Sequence, residues 1–160
     1  MSDFLTTYEL TRGRFDDAVS KLNHAQLNYR LTADSLTTAE MALHVAGVEI
    51  WFAAQLHGQE LSGEDKKLAD CATEGSINES PFPYTVDEMT PEVVAAGLAR
   101  GRAAAMSVFE SSDPEIRTKS LKSALGPMIN GEGAMVRLAA HPFYHQGQIH
   151  MITSSSEYPK

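Results

Sequence analysis

The chain has 160 residues, of which 42% are hydrophobic and 21% are charged, and this suits one globular domain while excluding a disordered or fibrous protein. Its net charge of −8 repels phosphate backbones and argues against nucleic acid as a partner. The single cysteine excludes an intrachain disulfide and a cysteine-based metal cluster. The sequence shows no signal-peptide pattern and no apolar run long enough to span a membrane, so we expect a cytoplasmic protein with no membrane contact.

Two helices are predicted in the first third of the chain. The first runs from about residue 3 to residue 22, where apolar side chains return at the 3.6-residue spacing of a helix. The second follows Thr37, which forms a capping box with Glu40 three residues later. It carries the segment MALHVAGVEIWFAAQL and ends at Gly58, a residue that readily adopts the left-handed conformation.

Residues 58–89 predict a long loop, because glycine and proline recur among polar residues. Within this loop we expect at most a short helical turn around Glu64 to Asp70. A strand pattern is confined to short stretches near Phe82 to Val86. Helical periodicity resumes only after this segment, so the loop is expected to connect the second and third helices.

The third predicted helix spans about residues 91–110 and begins with Thr90 as its N-cap and a first-turn proline. Its Gly97 and Gly101 stand one turn apart. Such a pair suits either a homodimer interface or close packing inside the protein, and the second interpretation is favoured for a soluble chain. A homodimer is therefore kept as an alternative.

The fourth predicted helix spans about residues 131–155. Pro142 lies inside it and cannot donate the hydrogen bond to the carbonyl of Leu138, so the helix is expected to kink or to begin a new turn there. Four long helices with one long connection predict an all-α four-helix bundle, with residues 1–160 as a single domain.

Three histidines form the candidate site. His141 and His145 are four residues apart, so both side chains lie on one helical face and are close enough to bind one ion. Among six histidines such a pair also arises by chance. His44 lies in an otherwise apolar helix and suits either a satisfied core histidine or a third ligand. Since bundles build metal sites from inward side chains on facing helices, the three together predict a metal site.

Two further polar residues lie near these histidines in the sequence. Gln148 comes seven residues after His141, which places it near the ligand face. It could orient a ligand or contact a metal-bound water, or it could only pack at a helix crossing near Gly147. Glu49 points well away from His44, which favours a salt bridge or interhelix hydrogen bond over catalysis.

The segments MALHVAGVE and HPFYHQGQI resemble the DinB-like (YfiT-type) family, whose pattern is one histidine on the second helix and His-x-x-x-His followed by Gly-Gln on the fourth. The resemblance implies an up-down-down-up four-helix bundle in which His44, His141 and His145 bind a divalent transition metal such as zinc, nickel or iron. Gln146 departs from the family, which often has arginine there, and residues 58–90 match nothing in the family pattern.

A metal with three protein ligands keeps positions open, where it can lower the pKa of bound water or hold a thiol as thiolate. By resemblance, the favoured function is a metal-dependent transferase that uses a low-molecular-weight thiol, such as bacillithiol or mycothiol, on a small-molecule substrate. A metal-dependent hydrolase is the second interpretation. The third is a non-catalytic bundle that binds metal or a partner protein.

Overall fold

The computed structural model describes residues 4–160, and these residues form six helices and one two-stranded antiparallel hairpin. In chain order the elements are α1 (Leu5–Val19), α2 (His24–Leu27), α3 (Thr38–His57), α4 (Gly63–Asp70), α5 (Pro91–Phe109), β1 (Ser120–Lys122), β2 (Met128–Asn130) and α6 (Gly131–Thr153). The protein is therefore mostly helical, with four long helices close to the predicted positions. The up-down-down-up order of these helices stays a prediction.

Local signals account for where the first long helices begin and end. α1 stops at Val19, earlier than predicted, because Asn23 starts the separate helix α2 through a capping box with Gln26. The predicted start at residue 3 lies outside the described residues. α3 begins as its sequence predicts, since the Thr37 side chain accepts from the Glu40 backbone, and it ends at Gly58 with φ of 67°.

The predicted loop over residues 58–89 is interrupted by a helix. α4 lies where a short helical turn was expected, around Glu64 to Asp70, but it is a helix of eight residues. It buries Leu68 and Ala69 against α3. A Cβ on Gly47 of α3 would lie 2.2 Å from the Leu68 carbonyl oxygen, so the two helices approach at a point where only glycine fits. Two buried residues are too few for α4 to show a clear helical period in the sequence.

The strand prediction was wrong in position. Residues 82–86 form turns and irregular structure, and the hairpin lies instead at β1 and β2, where Leu121 pairs with Ile129. Leu121 is buried in the core, while its neighbours Ser120 and Lys122 are exposed. A three-residue strand offers only one such alternation, which is too short to distinguish from chance in the sequence.

Helix α3 is the centre of the protein. Seventeen of its twenty residues are buried, and it packs mainly against α5, α4 and α6, while α1 packs on α6. A Cβ on Gly97 would lie 2.7 Å from the Leu43 side chain, and one on Gly101 would lie 2.6 Å from the Ala46 Cα. Both glycines therefore serve close packing of α5 on α3, in agreement with the favoured interpretation.

Burial of α3 on nearly every side has a consequence for its polar residues. A buried polar group costs free energy unless it finds a partner, so His44 and Glu49 must find their partners inside the protein.

Among the helices of residues 4–160, none has the length and hydropathy needed to cross a membrane.

Candidate metal centre

The structure brings the three predicted histidines together between α3 and α6. His44 is 6% exposed and His145 is 5% exposed, while His141 is partly buried. One ring nitrogen from each histidine lies within 4.8 Å of the others. Residues nearly a hundred positions apart in the sequence thus form one compact group of imidazoles.

Two of the imidazoles have their protonation fixed by neighbours. His44 Nδ1 lies 2.8 Å from the carbonyl oxygen of Cys71, and His145 Nδ1 lies 2.7 Å from Oε1 of Gln148. These oxygens only accept hydrogen bonds, so both Nδ1 atoms carry the proton. The Nε2 atoms of His44 and His145 in their neutral rings therefore present lone pairs.

Both lone pairs point at the same atom. His141 Nε2 lies 3.2 Å from His44 Nε2 and 2.9 Å from His145 Nε2. A neutral His141 has at most one proton on that nitrogen, so it can satisfy only one of its two neighbours. The cluster has more buried lone pairs than protons, and a cation at its centre would satisfy this donor set.

The spacing of the nitrogens also fits a metal. Two nitrogens that each lie about 2.0–2.1 Å from one ion stand roughly 2.8–3.4 Å apart at angles between octahedral and tetrahedral. The two contacts to His141, at 3.2 and 2.9 Å, lie within this range. His44, His141 and His145 are therefore suitable ligands for one divalent ion.

Electrostatics favour the neutral, metal-binding form of all three rings. Burial lowers the pKa of His44 below its usual value. Burial and the neighbouring histidines lower the pKa of His141 to about 2, and burial together with His44 lowers the pKa of His145 to about 4. Each ring is thus uncharged at neutral pH, with one nitrogen protonated and the lone pair of the other available.

Pro142 does not separate the two ligands of α6. The helix runs from Gly131 to Thr153 with Pro142 inside it, and His141 and His145 on either side of the proline still meet. Near the missing backbone donor, the hydroxyl of Thr11 on α1 donates to the carbonyl oxygen of Ala139 at 2.7 Å. A side chain thus binds one of the backbone carbonyls beside the proline.

The three histidines line a cavity of about 800 Å³, a size typical of small-molecule sites. Gln148 also lines the cavity and contacts His145. Its neighbour Gly147 is exposed, and a Cβ added to Gly147 would meet nothing within 4 Å. No close helix crossing therefore occurs at Gly147. Tyr144, 63% exposed, stands at the cavity and lies 3.3 Å from the Gln148 amide. The cavity gives a ligand direct access to the imidazoles.

Other residues singled out in the sequence lie elsewhere. Glu49 forms a buried ion pair with Arg12 at 2.8 Å, in agreement with the salt-bridge interpretation. The remaining histidines, His24, His57 and His150, are not part of the cluster.

Sequence analysis missed two groups at the site. The Cys71 carbonyl that orients His44 carries no sequence signal, because any residue has a carbonyl. Arg137, which lines the cavity, did have a sequence signal, because it precedes His141 by four residues and so shares its helical face.

One of three comparisons with known proteins found a match. No curated protein and no solved structure matches the chain. A protein-family model described as the DinB superfamily matches residues 7–149. This match covers most of the chain and includes His44, His141 and His145, so the chain belongs to the DinB superfamily.

Proposed function

We propose that His44, His141 and His145 bind one divalent transition metal, zinc, nickel or iron, and that the protein is a metal-dependent transferase using a low-molecular-weight thiol. The observation that carries the proposal is the convergence of three imidazole Nε2 atoms, with more lone pairs than protons, on the wall of a large cavity. When bound, the metal would keep a coordination position for a thiol sulfur and favour its thiolate form.

The protein's own residues supply orientation and the surroundings. The Cys71 carbonyl and the Gln148 amide orient the rings of His44 and His145 with their Nε2 atoms toward the centre of the histidine cluster. These two side chains therefore lose less conformational freedom when an ion binds. Apolar side chains such as Met41, Val48 and Phe52 line the cavity and would keep water from the reacting groups once a substrate fills it.

The proposal includes the architecture and setting implied by the family resemblance. The four long helices are taken to form an up-down-down-up bundle, residues 1–160 to form one domain, and the protein to act in the cytoplasm. A homodimer remains compatible with it, although Gly97 and Gly101 are used inside the protein.

Hydrolysis ranks below thiol transfer because the cavity lacks a well-placed general base. Asp34 is the only carboxylate among the described residues that line it, and this residue is exposed. Such a base would assist hydrolysis by taking a proton from the attacking water, whereas a metal-bound thiolate needs no base in order to attack. A non-catalytic bundle that binds metal or a partner protein ranks third, because neither role needs a large cavity that opens on the histidines.

Metal content tests the site directly. We expect the purified protein to bind about one metal ion per chain, since three neutral imidazoles form a complete set of protein ligands for an open site. His44→Ala, His141→Ala and His145→Ala should each lose most of this metal, whereas the exposed His150→Ala on the same helix should keep it. If all three cluster variants kept wild-type metal content, the proposed site would be wrong.

Turnover tests the reaction. Metal-loaded protein should accelerate conjugation of bacillithiol or mycothiol to an aromatic electrophile such as 1-chloro-2,4-dinitrobenzene, and chelation or His145→Ala should abolish the acceleration. Metal-dependent cleavage of a chromogenic ester without thiol consumption would favour the hydrolase. Metal binding without turnover on a panel of thiols and electrophiles would favour the non-catalytic bundle.

A further inference from the structure

The cavity contains a cationic side chain that the metal proposal does not use. Arg137 lies on α6 one helical turn, roughly 5.4 Å, before His141 and two turns before His145. Residues spaced four apart on a helix share one face, and all three line the cavity. A guanidinium is thus presented to the same space as the imidazoles.

Arg137 differs from most arginines of this protein in its partners. Arg12, Arg30, Arg100, Arg102 and Arg117 each pair with a carboxylate. Within residues 4–160, Arg137 pairs with none: its Nη1 donates to the hydroxyl of Ser123. Its remaining N–H groups are available to a ligand.

Ser123 fixes where this guanidinium lies. Its side chain is almost fully buried in the hairpin, its backbone N–H donates to the Pro127 carbonyl at 3.0 Å, and its hydroxyl accepts from the Leu125 backbone at 3.3 Å. The Arg137 guanidinium is therefore held against a hydrogen-bonded turn that lines the cavity. A fixed arginine loses little rotamer freedom when it binds an anion.

The rest of the cavity is suited to apolar groups. Ten large hydrophobic side chains are exposed among the described residues, and five of them line this cavity. These five are Leu31, Ile77, Leu125, Tyr144 and Met151. Exposed apolar side chains gathered at one cavity mark a site for a ligand with a large apolar part.

We propose that the cavity binds an apolar small molecule bearing a single carboxylate, with the carboxylate held by Arg137 and the apolar part directed along the cavity past the histidines. This deepens the proposed function by naming its substrate class, and it rests on that function for the role of the metal. Arg137 would act as a specificity-determining residue.

Charge balance favours a carboxylate over a phosphate. Arg137 is the only arginine or lysine among the described residues that line the cavity, and Asp34 adds a negative charge at its edge. One guanidinium neutralises one negative charge, and its planar fork matches the two oxygens of a carboxylate. A phosphate dianion would remain partly uncompensated in a protein with a net charge of −8.

Binding of octanoate and its neutral analogue octanamide tests the inference. Isothermal titration calorimetry of the full chain, both as purified and after chelation, should show that octanoate binds at least about tenfold more tightly than octanamide. The reason is that hydrogen bonds to a charged group contribute more binding free energy than hydrogen bonds between neutral groups. Chelated protein is included because a metal could itself bind the carboxylate.

The preference should depend on Arg137 alone. Arg137→Gln should bind octanoate and octanamide equally in the chelated protein. Arg14→Gln removes the same charge from an exposed position of α1 away from the cavity and should keep the preference. The metal content of Arg137→Gln, measured in parallel, reports on the metal site separately. If this variant kept its metal but lost the preference for octanoate over octanamide, both proposals would be supported.

Several outcomes would overturn the inference. These are equal binding of the two probes by the wild-type protein, no binding of either, survival of the preference in Arg137→Gln, or tighter binding of octyl phosphate than of octanoate. If Arg137→Gln does not fold, the Arg137 Nε–H resonance of the wild-type protein decides, since octanoate should shift it and octanamide should not. Absence of metal from the wild-type protein would refute the proposed function while leaving this preference measurable.

Discussion

Two buried polar clusters share helix α3 but differ in how they are completed. His44 faces the histidines of α6, whereas Glu49, five residues later and on another side of the helix, faces α1. In the Glu49 cluster the Arg12 Nε donates to the carboxylate at 2.8 Å, Arg12 Nη2 donates to the Leu98 carbonyl at 2.7 Å, and the Tyr8 hydroxyl donates to the carboxylate at 2.7 Å. Here protons and acceptors match and the charges cancel.

The difference separates a structural cluster from a binding one. Arg12 and Glu49 are almost fully buried, and their charges are neutralised by each other within the core. The histidine cluster has lone pairs without donors and opens on a cavity. A buried polar group without a partner costs stability, so it persists where a ligand supplies what is missing. Completeness of the hydrogen bonding therefore distinguishes the two clusters better than burial does.

The largest expected effect comes from breaking the complete cluster. Arg12→Ala leaves the Glu49 carboxylate buried without its counter-charge, and this should cost about 3–5 kcal/mol in the free energy of unfolding, measured by urea denaturation. Metal content should stay at the wild-type level, since Arg12 does not contact the histidines. The double variant Arg12→Met with Glu49→Met should recover part of the lost stability, because it removes the unpaired charge but leaves the buried Tyr8 hydroxyl without its acceptor. A loss below about 1 kcal/mol in the single variant would contradict the structural role.

A smaller effect is expected from pH on the incomplete cluster in metal-free protein. The folded-state pKa of His145 is about 4, below the value near 6.5 for an unfolded chain, so the unfolded chain binds more protons between these values. This contribution to stability is present above pH 7 and is lost as pH falls toward 4. Between pH 7 and pH 5 the loss from His145 should be roughly 2 kcal/mol.

Denaturation of chelated protein across this pH range measures the effect. His145→Gln should flatten the dependence on pH by about that amount, and the exposed His150→Gln should leave it unchanged. An unfolding free energy that stayed constant from pH 7 to pH 5 in the chelated wild-type protein would mean that the three rings are not buried in their neutral form.

Sequence reasoning succeeded where the information is local. The capping box of Thr37 and Glu40 and the left-handed Gly58 mark both ends of α3, and each depends on residues within one turn. The spacing of His141 and His145 sets their common face regardless of the rest of the fold. For the site itself, pattern and family resemblance together predicted three histidines as metal ligands, and the structure brings these three together in space.

Sequence reasoning failed where partners are distant or elements are short. The Cys71 carbonyl meets His44 only because α4 packs closely on Gly47, a contact that no local pattern reports. The hairpin that carries Ser123 has strands of three residues, which are too short to show alternation. The arginine site was missed although Arg137 shares the helical face of His141, because its contact with Ser123 in the hairpin has no local signal in the sequence.

The smallest expected effect concerns the orientation of a single ring. Gln148 Oε1 accepts from His145 Nδ1 at 2.7 Å and thereby directs the Nε2 lone pair toward the other histidines. Gln148→Ala should weaken metal binding about tenfold, the lower end of the effect of such partners, because His145 is also held by its own helix. Competition with a chelator of known affinity measures this change.

Variants of the same helix show whether the hydrogen bond is responsible. Gln148→Glu keeps an acceptor for Nδ1–H and should restore binding to at least the wild-type level, since a carboxylate makes the imidazole a stronger ligand. Gln146→Ala removes a neighbouring amide that does not line the cavity and should change nothing. If Gln148→Ala and Gln146→Ala bound metal equally well, His145 would be oriented by packing alone. The distinction between the two clusters of α3 would then rest only on the convergence of the Nε2 atoms, with no contribution from the hydrogen bond that Gln148 accepts from His145 Nδ1.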